Sequence, residues 1–160
     1  MTPPSKHYWL MKSEPDAFSI DQLAKLKRSP WDGVRNYTAR NHMQAMRVGD
    51  LALFYHSSTE DRGVVGLARI SREAFPDHTQ FDPKSDYFDK TAKTSAPRWF
   101  MVEVEFIEKF PKLLSLEEIK ADAQLADMLV VQRGSRLSVQ PVETKHMRRI
   151  LKRAGARTSI

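Results

Sequence analysis

The chain has 160 residues, enough for one domain with a sizeable core, and its 41% hydrophobic and 29% charged content belongs to a folded protein, not a disordered one. With no cysteine, it has no disulfide, no thiolate nucleophile and no cysteine-ligated zinc. A formal net charge of +6 points toward a polyanionic partner, nucleic acid first among them.

Residues 1–6 read as a flexible arm, and the apolar run after them is too short for a signal peptide or a membrane span. A cytoplasmic protein is therefore expected. "HYWLMK" (7–12) reads as a buried strand that stops in a turn at Ser13-Glu14-Pro15. "FSIDQLAKLKRS" (18–29) has helical spacing, with Ser19 as N-cap and Pro30 as its end. A second helix follows, burying Ala39, Met43 and Met46 and turning Arg40, Asn41 and Arg47 elsewhere.

A Gly-Asp turn at 49–50 opens a strand that runs to His56, and "VVGLARISR" (64–72) returns as its hairpin partner. The interval 76–98 is long, polar and unpatterned, yet it holds Phe81, Tyr87 and Phe88; loops of that length tend to be functional. "WFMVEVEFIEKF" (99–110) alternates, with Phe100, Val102, Val104 and Phe106 on one face. Ser115 and Glu118 form a capping box for a short helix. A strand over 135–142 and a helix over 143–155 complete the domain, the helix burying Met147, Ile150, Leu151 and Ala154 and stopping at Gly155. Strands and helices do not follow a regular βαβ rhythm, so the class expected is α+β, a single domain over 7–154 built as a mixed β-barrel flanked by helices. Residues 155–160 read as a loose basic tail.

Familiar catalytic machinery is missing from the pattern. The six glycines build neither a Walker loop nor a dinucleotide fingerprint, the five histidines include no pair at metal-ligand spacing, and no Gly-x-Ser-x-Gly elbow occurs. No cofactor and no metal are expected.

Three stretches can converge on one cavity if their strands are neighbours. They are "KSEP" (12–15), "WDGVRN" (31–36) and "FYHSS" (54–58). Each also has a plain structural reading: a turn, a core tryptophan, and a histidine and serine satisfying loop backbone. Together they hold what a base-binding pocket requires. An aromatic face stacks on the ring, while amides and hydroxyls pair with its edge. Asn36, Ser13 and His56 are donors and acceptors of that kind. Between Arg133 and Arg157 lie eight Lys or Arg against one Glu, a basic face that is either a phosphate surface or simply solvated.

"YWLMKSEPDAFSIDQL", "WDGVRNYTARNHMQAMRVGDLALFYHS", "GVVGLARISREAFPDHTQFD" and "RLSVQP" together resemble the EVE domain, in the PUA-like superfamily, over His7 to Leu151. The short, cysteine-free form is similar to stand-alone bacterial members. The resemblance implies a PUA-like barrel, kinship to YTH domains, and a partner nucleic acid carrying a modified base, modified cytosine in DNA before RNA. It implies a base pocket of Ser13, Trp31, Asn36, Phe54, Tyr55 and His56, with Trp31 as a cage wall, and the three stretches themselves add Glu14 and Ser57. Of Phe54 and Tyr55, only one can face the pocket, because adjacent strand residues point to opposite sides. The resemblance further implies phosphate contacts from Lys12, Arg35 and Arg40, with Arg136 and Ser138 closing one side, and the basic stretch adds Arg133 and Arg136 to the expected phosphate contacts.

Two other functions use the same pocket: an enzyme acting on a nucleobase, with Glu14 as acid or base and His56 as its partner, and a small-ligand sensor. A Glu14→Gln variant separates the first from a reader, and weak salt dependence would favour the second.

Overall fold

The chain begins with β1 (Tyr8–Ser13). Helix α1 (Ile20–Leu26) and a three-residue strand β2 (Arg28–Pro30) follow, then helix α2 (Tyr37–Ala45) and β3 (Leu51–His56). Two long strands, β4 (Gly63–Pro76) and β5 (Phe100–Ser115), make the centre, and α3 (Leu116–Ala121), β6 (Val139–Val142) and α4 (Thr144–Arg153) finish it. Short 3₁₀ turns sit at His78–Phe81, Ala123–Leu125 and Leu129–Val131. This computed structural model describes residues 7–132 and 136–160.

The six strands form one mixed sheet in the order β2-β5-β4-β3-β1-β6. Every pairing is antiparallel except β1 with β3. The α+β class and the mixed sheet with helices around it agree with the sequence pattern. The hydrogen-bonded ladder stays open, however, with β2 and β6 as its edges. The β4–β5 pair shifts register in four places, and bulges of this kind twist and bend a strand.

Period-two alternation divides the core between the two faces of the sheet. Leu10, Leu53, Tyr55 and Leu67 face α3 and α4, where Ile119, Met147, Ile150 and Leu151 cover them. Trp9, Met11, Phe54 and Ile70 face the opposite way, onto Ile20 and Leu23 of α1 and Ala39 and Met43 of α2. Ser19 and Ser115 both make complete capping boxes, with Gln22 and Glu118. The Gly-Asp turn has its own logic: buried Asp50 accepts from the indole N–H of Trp9 and from the backbone N–H of Arg47, both at 3.0 Å.

Two segments differ from the sequence expectation. The helix expected over 18–29 stops at Leu26, because Lys27 enters a positive φ of 71° and the chain reverses into β2. The carbonyl of Lys27 then accepts from Phe106 N–H on β5 at 2.8 Å, a pairing that local periodicity does not encode. At the C-terminus, Arg157 and Thr158 donate their backbone N–H groups to Glu108, both at 3.0 Å, and Ile160 packs on the core. The basic face of α4 is also largely neutralised from within. Arg149 and Arg153 both bind the buried Asp122, and Lys145 pairs with Asp127. Among the described residues, no helix is long and apolar enough to cross a membrane.

Candidate functional site

The parallel pairing of β1 and β3 brings two strand ends side by side, with Lys12 opposite Tyr55 and Ser13 opposite His56. Ser57 N–H extends the ladder to Ser13 O at 3.0 Å. Beyond these ends opens a cavity of about 1020 Å³. Lys12, Ser13 and Glu14 line it from the end of β1 and the turn after it, and Tyr55, Ser57 and Ser58 from the end of β3 and beyond. Ser29 to Arg35 form an adjoining wall, and Arg62, Tyr87, Arg136 and Ser138 complete the polar lining.

Five of the eight sequence-derived base-pocket residues therefore meet here: Ser13, Glu14, Trp31, Tyr55 and Ser57. Trp31 is only 7% exposed. Its ring is braced edge-on by Phe54 at 5.4 Å and by Phe18 at 6.2 Å, so it serves as core and as cavity wall at once. The other three lie outside the cavity lining. Phe54 is buried behind Trp31. His56 shares its side of the strand, as alternation requires, and its Nε2 accepts from the backbone N–H of Ile20 at 3.1 Å. Asn36 is the N-cap of α2, its side-chain oxygen accepting from Ala39 N–H at 2.9 Å.

Of the sequence-derived phosphate contacts, Lys12, Arg35 and Arg136 line the cavity. Arg40 points elsewhere, onto the Tyr37 ring at 4.8 Å and the carbonyl of Arg98 at 2.9 Å. Arg133 lies outside the described residues.

Lys12 and Arg35 have different electrostatic settings. Lys12 is half-buried and has neither an ion pair nor a side-chain hydrogen bond among the described residues; its ammonium sits 5.7 Å from the Tyr55 ring centre. Burial pulls its pKa below the ordinary lysine value. Arg35 has every N–H donor engaged. It reaches Tyr87 O twice (2.7 and 3.0 Å), Thr79 Oγ1 (2.9 Å), Val34 O (2.9 Å) and Asp77 (3.1 Å). Arg35 is thus a strut between the Trp31 wall and the long loop, whereas Lys12, like Arg136, has no ion pair or side-chain hydrogen bond among the described residues.

The Asp77 carboxylate at the base of that strut is fully buried and also accepts from Gly33 N–H at 2.8 Å. Burial pushes its pKa up, but hydrogen bonds from Thr79, Gly33 and Arg35 outweigh this and leave it below the ordinary value. Asp32, one residue from the tryptophan wall, goes the other way. Burial of part of its surface, and then the charge of Asp77, raise its pKa against the smaller pull of His78 and Arg35.

Asp32, Arg62 and Tyr87 are cavity residues that the sequence reading did not assign. Tyr87 comes from the 76–98 interval, whose aromatic content was the available signal. Its ring covers Gly33, where φ is +80° and a Cβ would meet the Tyr87 ring at 2.6 Å. Arg35 lies over both Tyr87 and Trp99, at 5.6 and 5.4 Å, and Trp99 stacks on Tyr37 at 4.9 Å. Away from the cavity, Asp127, Glu143 and His146 could together hold a metal ion. The Lys145 ammonium already lies 3.2 Å from Asp127 and 3.7 Å from Glu143, supplying the positive charge there.

Comparison with known proteins places this geometry among relatives. The family model of the EVE domain matches residues 7–153. Thymocyte nuclear protein 1 of Mus musculus is 43% identical, the match covering 85% of this chain and 68% of that protein. A hypothetical protein from Leishmania major superposes with a TM-score of 0.90 at 51% identity, covering 94% of this chain and 96% of that one. Human THYN1 protein, solved in complex with 5-methylcytosine-containing DNA, superposes with a TM-score of 0.89 at 35% identity, over 96% of this chain and all of that one.

Proposed function

The chain belongs to the EVE domain family, and we propose that it binds nucleic acid by taking one modified base, a modified cytosine of DNA before any other, into the cavity at the ends of β1 and β3. The observation that carries this reading is the pairing of a rigid aromatic wall, Trp31, with a half-buried cation, Lys12, that has no ion pair or side-chain hydrogen bond among the described residues. The wall offers stacking worth about 1–3 kcal/mol per base. The ammonium offers a counter-charge for a phosphate that enters with the base. Ser57 and Ser138 bring hydroxyls to the same space. The THYN1 complex supports the same assignment, since a structurally similar protein was solved holding DNA with a methylated cytosine.

Unstacking a base costs a few kcal/mol, which stacking and phosphate contacts can offset. The enzymatic reading gains less support. It would use Glu14 with His56 as partner, and the Nε2 lone pair of His56 is occupied by Ile20 N–H.

The test is fluorescence-anisotropy binding to short DNA and RNA oligonucleotides carrying plain, methylated or hydroxymethylated cytosine, or methylated adenine, at two salt concentrations. Trp31→Phe and Lys12→Gln accompany the wild type. A preference for one modified cytosine that weakens in both variants is the expected result. Equal binding to every oligonucleotide, unaffected by either substitution, would overturn the proposal.

A further inference from the structure

Resting on that base-binding reading, we infer that Asp32 is the specificity-determining residue that distinguishes cytosine from thymine, by accepting a hydrogen bond from the cytosine 4-amino group. 5-Methylcytosine and thymine have the same ring size and the same 5-methyl group. They differ at position 4, an amino donor in one and a carbonyl acceptor in the other, and in the state of the neighbouring N3. A stacking wall cannot separate two such rings, so the discrimination has to come from a polar group facing that edge. A carboxylate is the natural acceptor for a cytosine 4-amino group, and set against thymine it would meet a carbonyl oxygen.

Among the described lining residues only Asp32 and Glu14 are carboxylates. Asp32 is the better placed. It follows Trp31 directly in the chain, so an edge acceptor comes attached to the stacking wall. The next residue, Gly33, is pinned by Asp77 at 2.8 Å, which fixes the backbone that carries the Asp32 side chain. No other side chain among the described residues hydrogen-bonds to Asp32, whereas Asp77 is bound by Thr79, Gly33 and Arg35. Asp32 is exposed to the cavity and so open to a ligand, and a carboxylate near the negative charge of Asp77 gains from a donor that the ligand brings in. The Glu14 carboxylate also has no partner among the described residues, but it stands on the turn after β1 and not next to the stacking wall.

The experiment compares anisotropy binding of wild type, Asp32→Asn and Asp32→Ala to one DNA sequence with 5-methylcytosine, cytosine or thymine at a single position. Thermal melting confirms that each variant is folded. Wild type is expected to bind 5-methylcytosine at least roughly tenfold more tightly than thymine. Asp32→Asn, whose amide can also donate, brings that ratio near one by improving thymine binding. Asp32→Ala weakens 5-methylcytosine binding without improving thymine. A ratio unchanged within about twofold in both folded variants overturns the assignment while leaving the base-binding reading intact. A wild type that does not separate 5-methylcytosine from cytosine or thymine overturns both.

Discussion

The buried carboxylate of Asp77 accepts a hydrogen bond from the backbone N–H of Gly33 at 2.8 Å, across 44 positions of chain. This contact and the Arg35 guanidinium beside it join the long loop after β4 to the wall that carries Trp31. Removing the carboxylate leaves Gly33 N–H without its acceptor and Arg35 without its counter-charge. Asp77→Ala should lower stability by about 3 kcal/mol, the low end for breaking a buried ion pair because Arg35 retains some exposure. Asp77→Asn, which keeps an acceptor, should cost less. Urea unfolding measures both. Because the folded-state pKa of Asp77 is depressed, its stabilisation is complete above the ordinary carboxylate range and declines as pH falls through the lowered value. The acid limb of the stability profile should therefore flatten in Asp77→Asn.

Gly33→Ala introduces a Cβ at a φ of +80° and directly against the Tyr87 ring. The left-handed backbone costs about 1–2 kcal/mol for a non-glycine residue. The ring contact is cheaper to relieve, since Tyr87 is partly exposed and can swing away. Adding Tyr87→Ala should consequently recover little of the lost stability. Oligonucleotide affinity should fall in Gly33→Ala through the displaced cavity wall, and chemical denaturation alongside anisotropy separates the two effects.

Replacing Lys12 tests whether its ammonium contacts phosphate. In Lys12→Gln the dependence of log affinity on log salt should become shallower by roughly 0.7–0.9, the share of one phosphate contact. Burial lowers the Lys12 pKa, so the ammonium is lost as pH rises through a value below that of an ordinary lysine. Binding by the wild type should weaken in that alkaline range, and Lys12→Gln should not follow it. Titrations at several salt concentrations and pH values decide the matter.

Asn36→Ala should cost about 1 kcal/mol of stability through loss of the α2 cap, and Asn36→Ser or Asn36→Asp should retain most of it. Thermal melting reads this directly. Weakened base binding with unchanged stability in Asn36→Ala would instead place the amide against the ligand.

Asn36 also illustrates how far the sequence carries the argument. An asparagine before a helix is a capping signal and an amide near a tryptophan is a base-reading signal, and local sequence cannot rank the two. Alternation carried further. It puts Phe54 and His56 on one side of β3 and Tyr55 and Ser57 on the other, the division that the structure shows. The Ser19 cap, the Ser115 capping box and the apolar stripe of α4 were equally readable, because each is settled within one or two turns of chain. The left-handed Lys27, the strand β2 and the Arg35–Tyr87 contact were not. Each depends on a partner dozens of positions away, and no period in the local pattern records it.

The parallel pairing of β1 with β3 has a consequence for how the site comes into being. Parallel neighbours need a long crossover, and here the crossover contains α1, the Trp31–Arg35 wall and α2. Its far wall arrives later still, from Tyr87, Leu116, Val130 and Arg136. Contacts of such sequence separation form slowly and together, because loop closure must precede the gain from packing. The cavity therefore belongs to no fragment. A nascent chain released before Arg136 would carry the tryptophan, the lysine and the aspartate along its sequence, and still lack the Arg136 and Ser138 side of the cavity.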